Sequence, residues 1–191
     1  MVLGLAYFWV DKSVLKTLNF NDKLTYLKER AKLIFLDSLR EILYLEGNGG
    51  LAKYHLLNMT SVICLAIEGL GHFLTGTDQS WESFKLFVSN FMHQEFQRFF
   101  YDGRTYSRML WDDFRNGLAH GFYIKKGGIE RNKPWYFRID DKIGLQINFD
   151  ELFLDFENAF EKFFRRLQSD GENSQFGDSF KKRFEALLEK Y

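Results

Sequence analysis

The sequence is poor in residues that crosslink or interrupt a chain, with one cysteine and one proline among 191 residues. A single cysteine, Cys64, excludes an internal disulfide and a cluster of thiolate metal ligands within one chain. It favours a reducing compartment, so we expect a cytoplasmic protein. The one proline, Pro134, precedes a β-prone run, where it disturbs no ladder of hydrogen bonds.

An excess of charge of one sign is also lacking, because Lys+Arg 26 balances Asp+Glu 26. The whole chain therefore has no bulk attraction for nucleic acid or anionic lipid, and binding to either must come from a local patch. The apolar opening MVLGLAYFWV is too short to span a bilayer and lacks the pattern of a secretory signal. We interpret it as a buried strand and expect no membrane association.

Aromatic residues are abundant at 18% of the chain, with 22 phenylalanines, and they predict a core built largely from rings. The length suits one domain. We expect a single domain over 1–191, with a core helical bundle at about 21–168. A β element at about 121–148 and a C-terminal amphipathic helix at about 176–190 complete it.

Apolar residues at helical spacing predict a mainly α fold. Asn21 or Asp22 is suited to cap a first helix that runs to about Glu46, where the glycines of 47–50 end it. A second helix over 51–74 is apolar nearly all round, which is typical of a central helix packed on several sides.

Two glycines of that central helix, Gly69 and Gly71, are expected to allow close approach of a neighbouring backbone. Ser80 is suited to cap a third helix. A fourth helix is predicted to start between 102 and 105 and to end at His120, before a C-terminal glycine.

Three β-prone runs follow, GFYIKK, PWYFRID and GLQIN, separated by the turn signals GG and DDKIG. They predict a hairpin or a small antiparallel sheet, which the N-terminal strand could join. Asn148 and Glu151 form a capping box for a fifth helix with a phenylalanine stripe that must be buried. The last helix also has an aromatic stripe, which packs either on its own chain or on a partner.

The fourth helix carries the most informative stretch, RNGLAH, which begins at Arg115. At α-helical spacing Asp112, Asn116 and His120 form an i, i+4, i+8 row. The arginines Arg104, Arg108 and Arg115 form a row beside it, and both rows are predicted to point away from the core.

These residue types suit phosphodiester chemistry. Histidine takes or gives a proton near neutral pH, arginine holds two phosphate oxygens, and asparagine supplies neutral hydrogen bonds. Together they cover the needs of a ribonuclease without metal, in which the 2′-hydroxyl of the RNA attacks the adjacent phosphate. The structural alternative is that His120 satisfies terminal carbonyls while Arg108, Asp112 and Arg115 form ordinary surface ion pairs.

RNGLAH resembles the R-x-x-x-x-H signature of the HEPN superfamily, in which asparagine often follows the arginine. The upstream AIEGLGHFLTG, followed by SFKLFVSNFM, resembles a HEPN branch with an EALG-like helix and a phenylalanine-rich next helix. The similarity covers roughly residues 50–124. The segment at 121–148 and the N-terminal strand depart from a minimal HEPN bundle.

The resemblance implies a HEPN-like helical bundle that forms a homodimer through the motif helices. It implies a metal-independent endoribonuclease, as in toxin–antitoxin and defence systems, with RNA as substrate and an antitoxin protein as a further partner. Arg115 would stabilise the phosphorane, Asn116 would orient it or the histidine, and His120 would be the acid or base. Arg104 and Arg108 would bind phosphate, with Glu68 and Asp112 in support.

Glu68 has two interpretations, a carboxylate paired with arginine or histidine such as His72 at i+4, or a partner that fixes Arg115 or His120. The function also has alternatives: a HEPN protein that binds RNA or nucleotide, or scaffolds a partner, without cleaving, and a regulatory subunit whose C-terminal helix docks on another chain. The four histidines show no metal-binding spacing, so we predict no metal site and no cofactor.

Overall fold

The structure, a computed structural model, describes residues 11–47, 52–100, 102–121 and 123–190, without the side chains of 45–47, 52–54 and 119–121. The predicted N-terminal strand lies outside the described residues. So does most of the predicted glycine turn at 47–50.

The protein is mainly helical, with a small three-stranded sheet between the seventh and eighth helices. In chain order the helices are α1 Lys12–Thr17, α2 Phe20–Ala31, α3 Ser38–Gly47, α4 Ala52–Thr75, α5 Ser80–Phe91, α6 Tyr106–Met109, α7 Asn116–Gly121, α8 Phe149–Asp170 and α9 Gln175–Lys190. A π-helical segment, Lys32–Asp37, joins α2 to α3; another, Leu110–Arg115, joins α6 to α7; and a 3₁₀ turn covers Gln94–Gln97. The strands are β1 Gly127–Glu130, β2 Phe137–Asp140 and β3 Gly144–Asn148.

The first predicted helix begins earlier than its pattern indicated. Asn19, rather than Asn21 or Asp22, caps α2, and its Oδ1 accepts a hydrogen bond of 2.9 Å from the backbone N–H of Asp22. The helix then continues through a π-helical segment to Gly47. The short helix α1, capped by Asp11, was not predicted.

Helix α4 is the centre of the fold, as its all-round apolar sequence predicted. It packs against α5, α8, α9 and the π-helical segment Leu110–Arg115, and Met59, Ile63 and Cys64 in its middle are fully buried. Its stretch His55–Thr75 has the length and composition of a membrane span, but most of it is buried inside the protein. Such burial is typical of the core helix of a soluble protein.

The two glycines of α4 have different surroundings. A Cβ on Gly71 would collide with the backbone carbonyl of Ser83 on α5, so this glycine permits the close approach that was predicted. A Cβ on Gly69 would meet nothing within 4 Å, so no close backbone approach occurs there.

The phenylalanine stripe of α8 is buried, as predicted, and it forms a large part of the aromatic core. Helix α9 packs on its own chain. The ring of Phe180 lies 5.3 Å from Phe20 and 5.5 Å from Phe73, and Phe184 is also buried. The aromatic face that could have served a partner chain is therefore used inside this one.

The sheet differs from the predicted antiparallel arrangement. Its order is β1-β3-β2; β2 and β3 form an antiparallel hairpin, but β1 runs parallel to β3. The described residues of the predicted run GFYIKK, 121 and 123–126, form no strand, and the backbone N–H of Lys125 donates instead to the carbonyl of Asp113 on the preceding helix. The two glycines that were predicted to form a turn belong to β1 and pair with β3 instead. There Gly127, at φ 147°, packs against Phe114.

Candidate functional site

Helix α6, the π-helical segment Leu110–Arg115 and α7 form one element, which we call the motif helix. The side chain of Thr105 caps it by accepting a hydrogen bond of 3.2 Å from the backbone N–H of Arg108. Because a π-helical turn holds more residues than an α-helical turn, side chains beyond it are rotated relative to uniform α-helical spacing. The two rows of polar residues predicted on this helix were drawn with uniform α-helical spacing, so they do not describe its faces beyond the π-helical segment.

The guanidinium of Arg115 is held by contacts with Glu68 and with the ring of Trp111. Its Nε donates to Glu68 Oε2 at 2.8 Å, and its Nη2 lies 2.7 Å from the same oxygen. Its central carbon lies 4.7 Å from the centre of the Trp111 ring. The side chain of Arg115 is only 15% exposed. Arg115 is therefore more buried than expected from the prediction that its row points away from the core.

Asn116 lies directly beside this pair, since its Oδ1 accepts a hydrogen bond of 3.1 Å from Nη1 of Arg115. A guanidinium has five N–H donors. Glu68 takes two of them and Asn116 takes one. The remaining two have no hydrogen-bond partner among the described residues.

Glu68 contacts Arg115 much more closely than His72. Its carboxylate is 8% exposed, and its Oε1 lies 3.9 Å from His72 Nε2, a nitrogen without a hydrogen-bond partner among the described residues. Burial lowers the pKa of His72, and the nearby guanidinium of Arg183 lowers it further. His72 is therefore neutral at pH 7, and Glu68 serves mainly as the counter-charge of Arg115.

The outer arginines of the motif helix are also paired with carboxylates. Arg104 contacts Asp102 at 2.8 Å and Asp113 at 3.0 Å, while Arg108 contacts Asp112 at 2.8 Å. Asp112 thus supports Arg108, rather than Arg115. A phosphate at Arg104 or Arg108 would have to share these guanidinium groups with the carboxylates.

His120 lies in α7, one residue before its end, and its side chain is outside the described part of the chain. The backbone of α7 is fixed by the segment that follows it. Gly117 has no room for a Cβ, which would collide with the backbone carbonyl of Tyr123. This contact holds the C-terminal turn of the motif helix against residues 123–125.

Tryptophan was not predicted as part of the site. The guanidinium carbon of Arg108 lies 4.6 Å from the Trp81 ring, and Trp81 contacts Trp111 with ring centres 5.8 Å apart. The two rings therefore link the guanidinium groups of Arg108 and Arg115. The i, i+4 spacing of Trp111 and Arg115 was visible in the sequence, but Trp81 lies on α5 and gave no such signal.

No group of three or more histidine, cysteine, aspartate or glutamate side chains that could hold a metal ion occurs among the described residues. Cys64 is fully buried one helical turn before Glu68, and burial raises the pKa of its thiol to about 12. The thiol therefore stays protonated and unreactive at neutral pH.

Comparison of the chain with protein-family models, with curated proteins and with solved structures found no match. A functional assignment must therefore rest on the residues and contacts of the site.

Proposed function

We propose that this protein is a HEPN-like, metal-independent endoribonuclease that works as a homodimer, with Arg115 and His120 of each motif helix at the shared cleft. The observation that carries this proposal is the held guanidinium of Arg115, which has Asn116 beside it and two N–H donors left over. A charge held in place before the reaction stabilises a transition state better than a mobile one.

In the proposed reaction the 2′-hydroxyl of the RNA attacks the adjacent phosphorus, and the bond to the 5′-oxygen of the next nucleotide breaks. His120 accepts the hydroxyl proton or donates a proton to the leaving oxygen, and water takes the other of these two roles. Arg115 binds the additional negative charge on the phosphorane, and Asn116 keeps the guanidinium oriented. The products are a 2′,3′-cyclic phosphate and a 5′-hydroxyl.

A homodimer is part of this proposal, because one motif helix supplies a single set of these groups. Exposed apolar side chains on α4, the helix that carries Glu68, favour such contact: Leu57 is 39% exposed and Leu65 is 50% exposed.

The family resemblance also suggests the biological role. We propose that the protein is the toxin or effector of a toxin–antitoxin or defence system, with an antitoxin as its partner. A cytoplasmic location follows from the single cysteine.

The test is digestion of labelled single-stranded RNA by the full-length protein in excess chelator. We expect cyclic-phosphate ends, and we expect His120→Ala to reduce the rate by a factor of about 100 or more. His55→Ala is the matched control, since His55 lies near the start of α4 outside the proposed site. Cleavage by His120→Ala at the parental rate, with both variants folded, would refute the proposal.

A second candidate function is RNA binding without cleavage. The observation that favours it is the exposure of Arg108, whose side chain is 40% exposed, so that an RNA phosphate can replace Asp112 as its partner. This function predicts salt-sensitive binding of RNA that Arg108→Ala weakens, with no product after long incubation. Product formation that depends on His120 would exclude it.

A further inference from the structure

A cleft of about 590 Å³ lies between the 3₁₀ turn Gln94–Gln97, the loop that leads into β2, and the first turns of α8. None of its described lining residues belongs to α4 or to the motif helix. Its volume falls within the range of roughly 300–1,000 Å³ that is typical of small-molecule sites. The cleft therefore has the size of a small-molecule site and is lined by residues outside the candidate ribonuclease site.

The charge of this cleft is negative. Among its described lining residues, Glu95, Glu151 and Asp155 are acidic and Lys133 is the one cation, so their formal sum is three negative charges and one positive, or −2. Lys133 is already paired with Glu130 at 2.6 Å. The carboxylates of Glu95 and Glu151 have no hydrogen bond or ion pair with any other described residue, so their charge is available to a ligand.

Asp155 is held in place by its neighbours. Its Oδ2 accepts a hydrogen bond of 2.9 Å from the backbone N–H of His93 and one of 3.1 Å from the hydroxyl of Tyr136. Its other oxygen, Oδ1, has no partner among the described residues. Burial raises the pKa of Tyr136 well above its ordinary value, and the charges of Asp155, Glu151 and Glu95 add to this effect. The tyrosine therefore remains a neutral donor that fixes the carboxylate.

Aromatic side chains also line the cleft. Tyr136 stacks on Phe137 with ring centres 4.1 Å apart, and its ring meets the edge of Phe96 at 5.7 Å. Trp135 lines the cleft next to it. Rings beside carboxylates are suited to a cation with an apolar stem, because the ring faces attract the charge and pack against the methylene groups.

A bare metal ion does not suit this geometry. The carboxylates surround a space of about 590 Å³, and they do not come close enough together to form a metal-binding group among the described residues. A larger cation, with charges spaced along a chain or spread over a planar group, reaches carboxylates that stand apart. The ligand class that combines this size and charge is an alkylammonium or a guanidinium.

We propose that the cleft is a binding site for an organic cation, with Glu95, Glu151 and Asp155 contacting its ammonium or guanidinium groups and Trp135 and Tyr136 packing against its stem. This site is independent of the proposed ribonuclease function. The cation comes either from a free polyamine or from a basic side chain of a peptide, and both sources share the same chemistry.

The experiment is isothermal titration of the full-length protein, at constant ionic strength, with spermidine and separately with acetyl-arginine amide. We expect saturable binding of at least one of them with a Kd below about 1 mM. The double variant Glu95→Gln with Glu151→Gln is expected to weaken binding at least tenfold. The control is the double variant Glu185→Gln with Glu189→Gln, two exposed carboxylates on α9 without a described partner. It removes the same charge elsewhere and is expected to leave the Kd unchanged.

Tighter binding of spermidine identifies the free polyamine as the source, and tighter binding of the arginine amide identifies a basic side chain. If the double variant is unfolded by circular dichroism, the single variants Glu151→Gln and Trp135→Ala replace it, each with an expected loss of about threefold or more in affinity. The proposal is overturned if neither probe binds saturably, or if the Glu185→Gln with Glu189→Gln control weakens binding as much as the double cleft variant. It is also overturned if Mg²⁺ at equal ionic strength displaces one probe as well as the other organic cation does.

Discussion

Two ion pairs of the motif helix have the same chemistry and different surroundings. Arg115 and Glu68 join two packed helices, with side chains 15% and 8% exposed, whereas Arg108 and Asp112 lie one turn apart on the same helix, 40% and 27% exposed. Each guanidinium also rests on a tryptophan ring, at 4.7 Å and 4.6 Å. The difference shows that burial, rather than residue type, separates the inner arginine from its outer neighbour.

Burial changes what each pair does for the protein. Water screens the outer pair, so its contribution to the free energy of unfolding is small. The inner pair has lost most of its water, and each member depends on the other to compensate its charge. Arg115 is therefore both a structural group and a candidate catalytic group, whereas Arg108 is free to exchange its partner.

The largest expected effect is on the inner pair. Glu68→Ala leaves Arg115 as an unpaired, largely buried charge, and we expect a loss of roughly 3–5 kcal/mol in the free energy of unfolding. Asp112→Ala is the matched control on the outer pair, with an expected loss of about 0.5 kcal/mol. Urea denaturation of the three proteins measures both values.

The double variant Glu68→Leu with Arg115→Met sharpens this comparison. Removing both charges leaves no unpaired charge of this pair, so we expect it to be more stable than Glu68→Ala. Equal losses for Glu68→Ala and Asp112→Ala would show that the inner pair is as well hydrated as the outer one.

An intermediate effect is expected where α4 meets α5. Gly71→Ala forces a methyl group against the carbonyl of Ser83, and we expect a loss of about 1–3 kcal/mol. Gly69→Ala, two residues earlier, enters open space and replaces a poor helix former, so we expect a gain of about 0.5–1 kcal/mol. Thermal unfolding followed by circular dichroism distinguishes the two, and similar shifts in Tm would contradict the tight contact at Gly71.

The smallest effect concerns pH. The pKa of His72 is lowered in the folded protein, mainly by burial and then by Arg183, so the unfolded chain binds more protons as the pH falls below 6.5. The free energy of unfolding therefore decreases as the pH falls below this value, by at most about 1.4 kcal/mol per pH unit. Urea midpoints of the parent and of His72→Asn between pH 7.5 and about pH 5 test this, since the variant is expected to show a shallower slope. Identical slopes would contradict the lowered pKa.

Local patterns in the sequence predicted much of the fold. The helices α4, α5 and α8 follow apolar stripes, and the buried phenylalanines of α8 are the predicted ones. The sheet was harder to predict from the sequence, because β1 pairs in parallel with β3. The paired residues Gly127 and Leu145 are 18 positions apart in the chain. Such pairing depends on packing rather than on a turn signal.

The candidate site was predictable only in part. The spacing of Arg115, Asn116 and His120 places them on one helix, and the contact between Arg115 and Asn116 needs only adjacent positions. The π-helical segment was not predictable from α-helical spacing, and it rotates the residues that follow it. The carboxylates that neutralise Arg104 were likewise not assigned from the sequence.

By itself the sequence determined which residues share a helix and which helical faces are apolar, because periodicity is a local property of the chain. Only the tertiary structure decided that Arg115 meets Glu68, 47 residues away, and that Glu95, Glu151 and Asp155 line one cleft. The physical reason is that a buried charge must find a counter-charge or a hydrogen bond wherever packing brings one. Local spacing does not specify which counter-charge a buried group meets, because that contact forms only when separate helices pack together and exclude water.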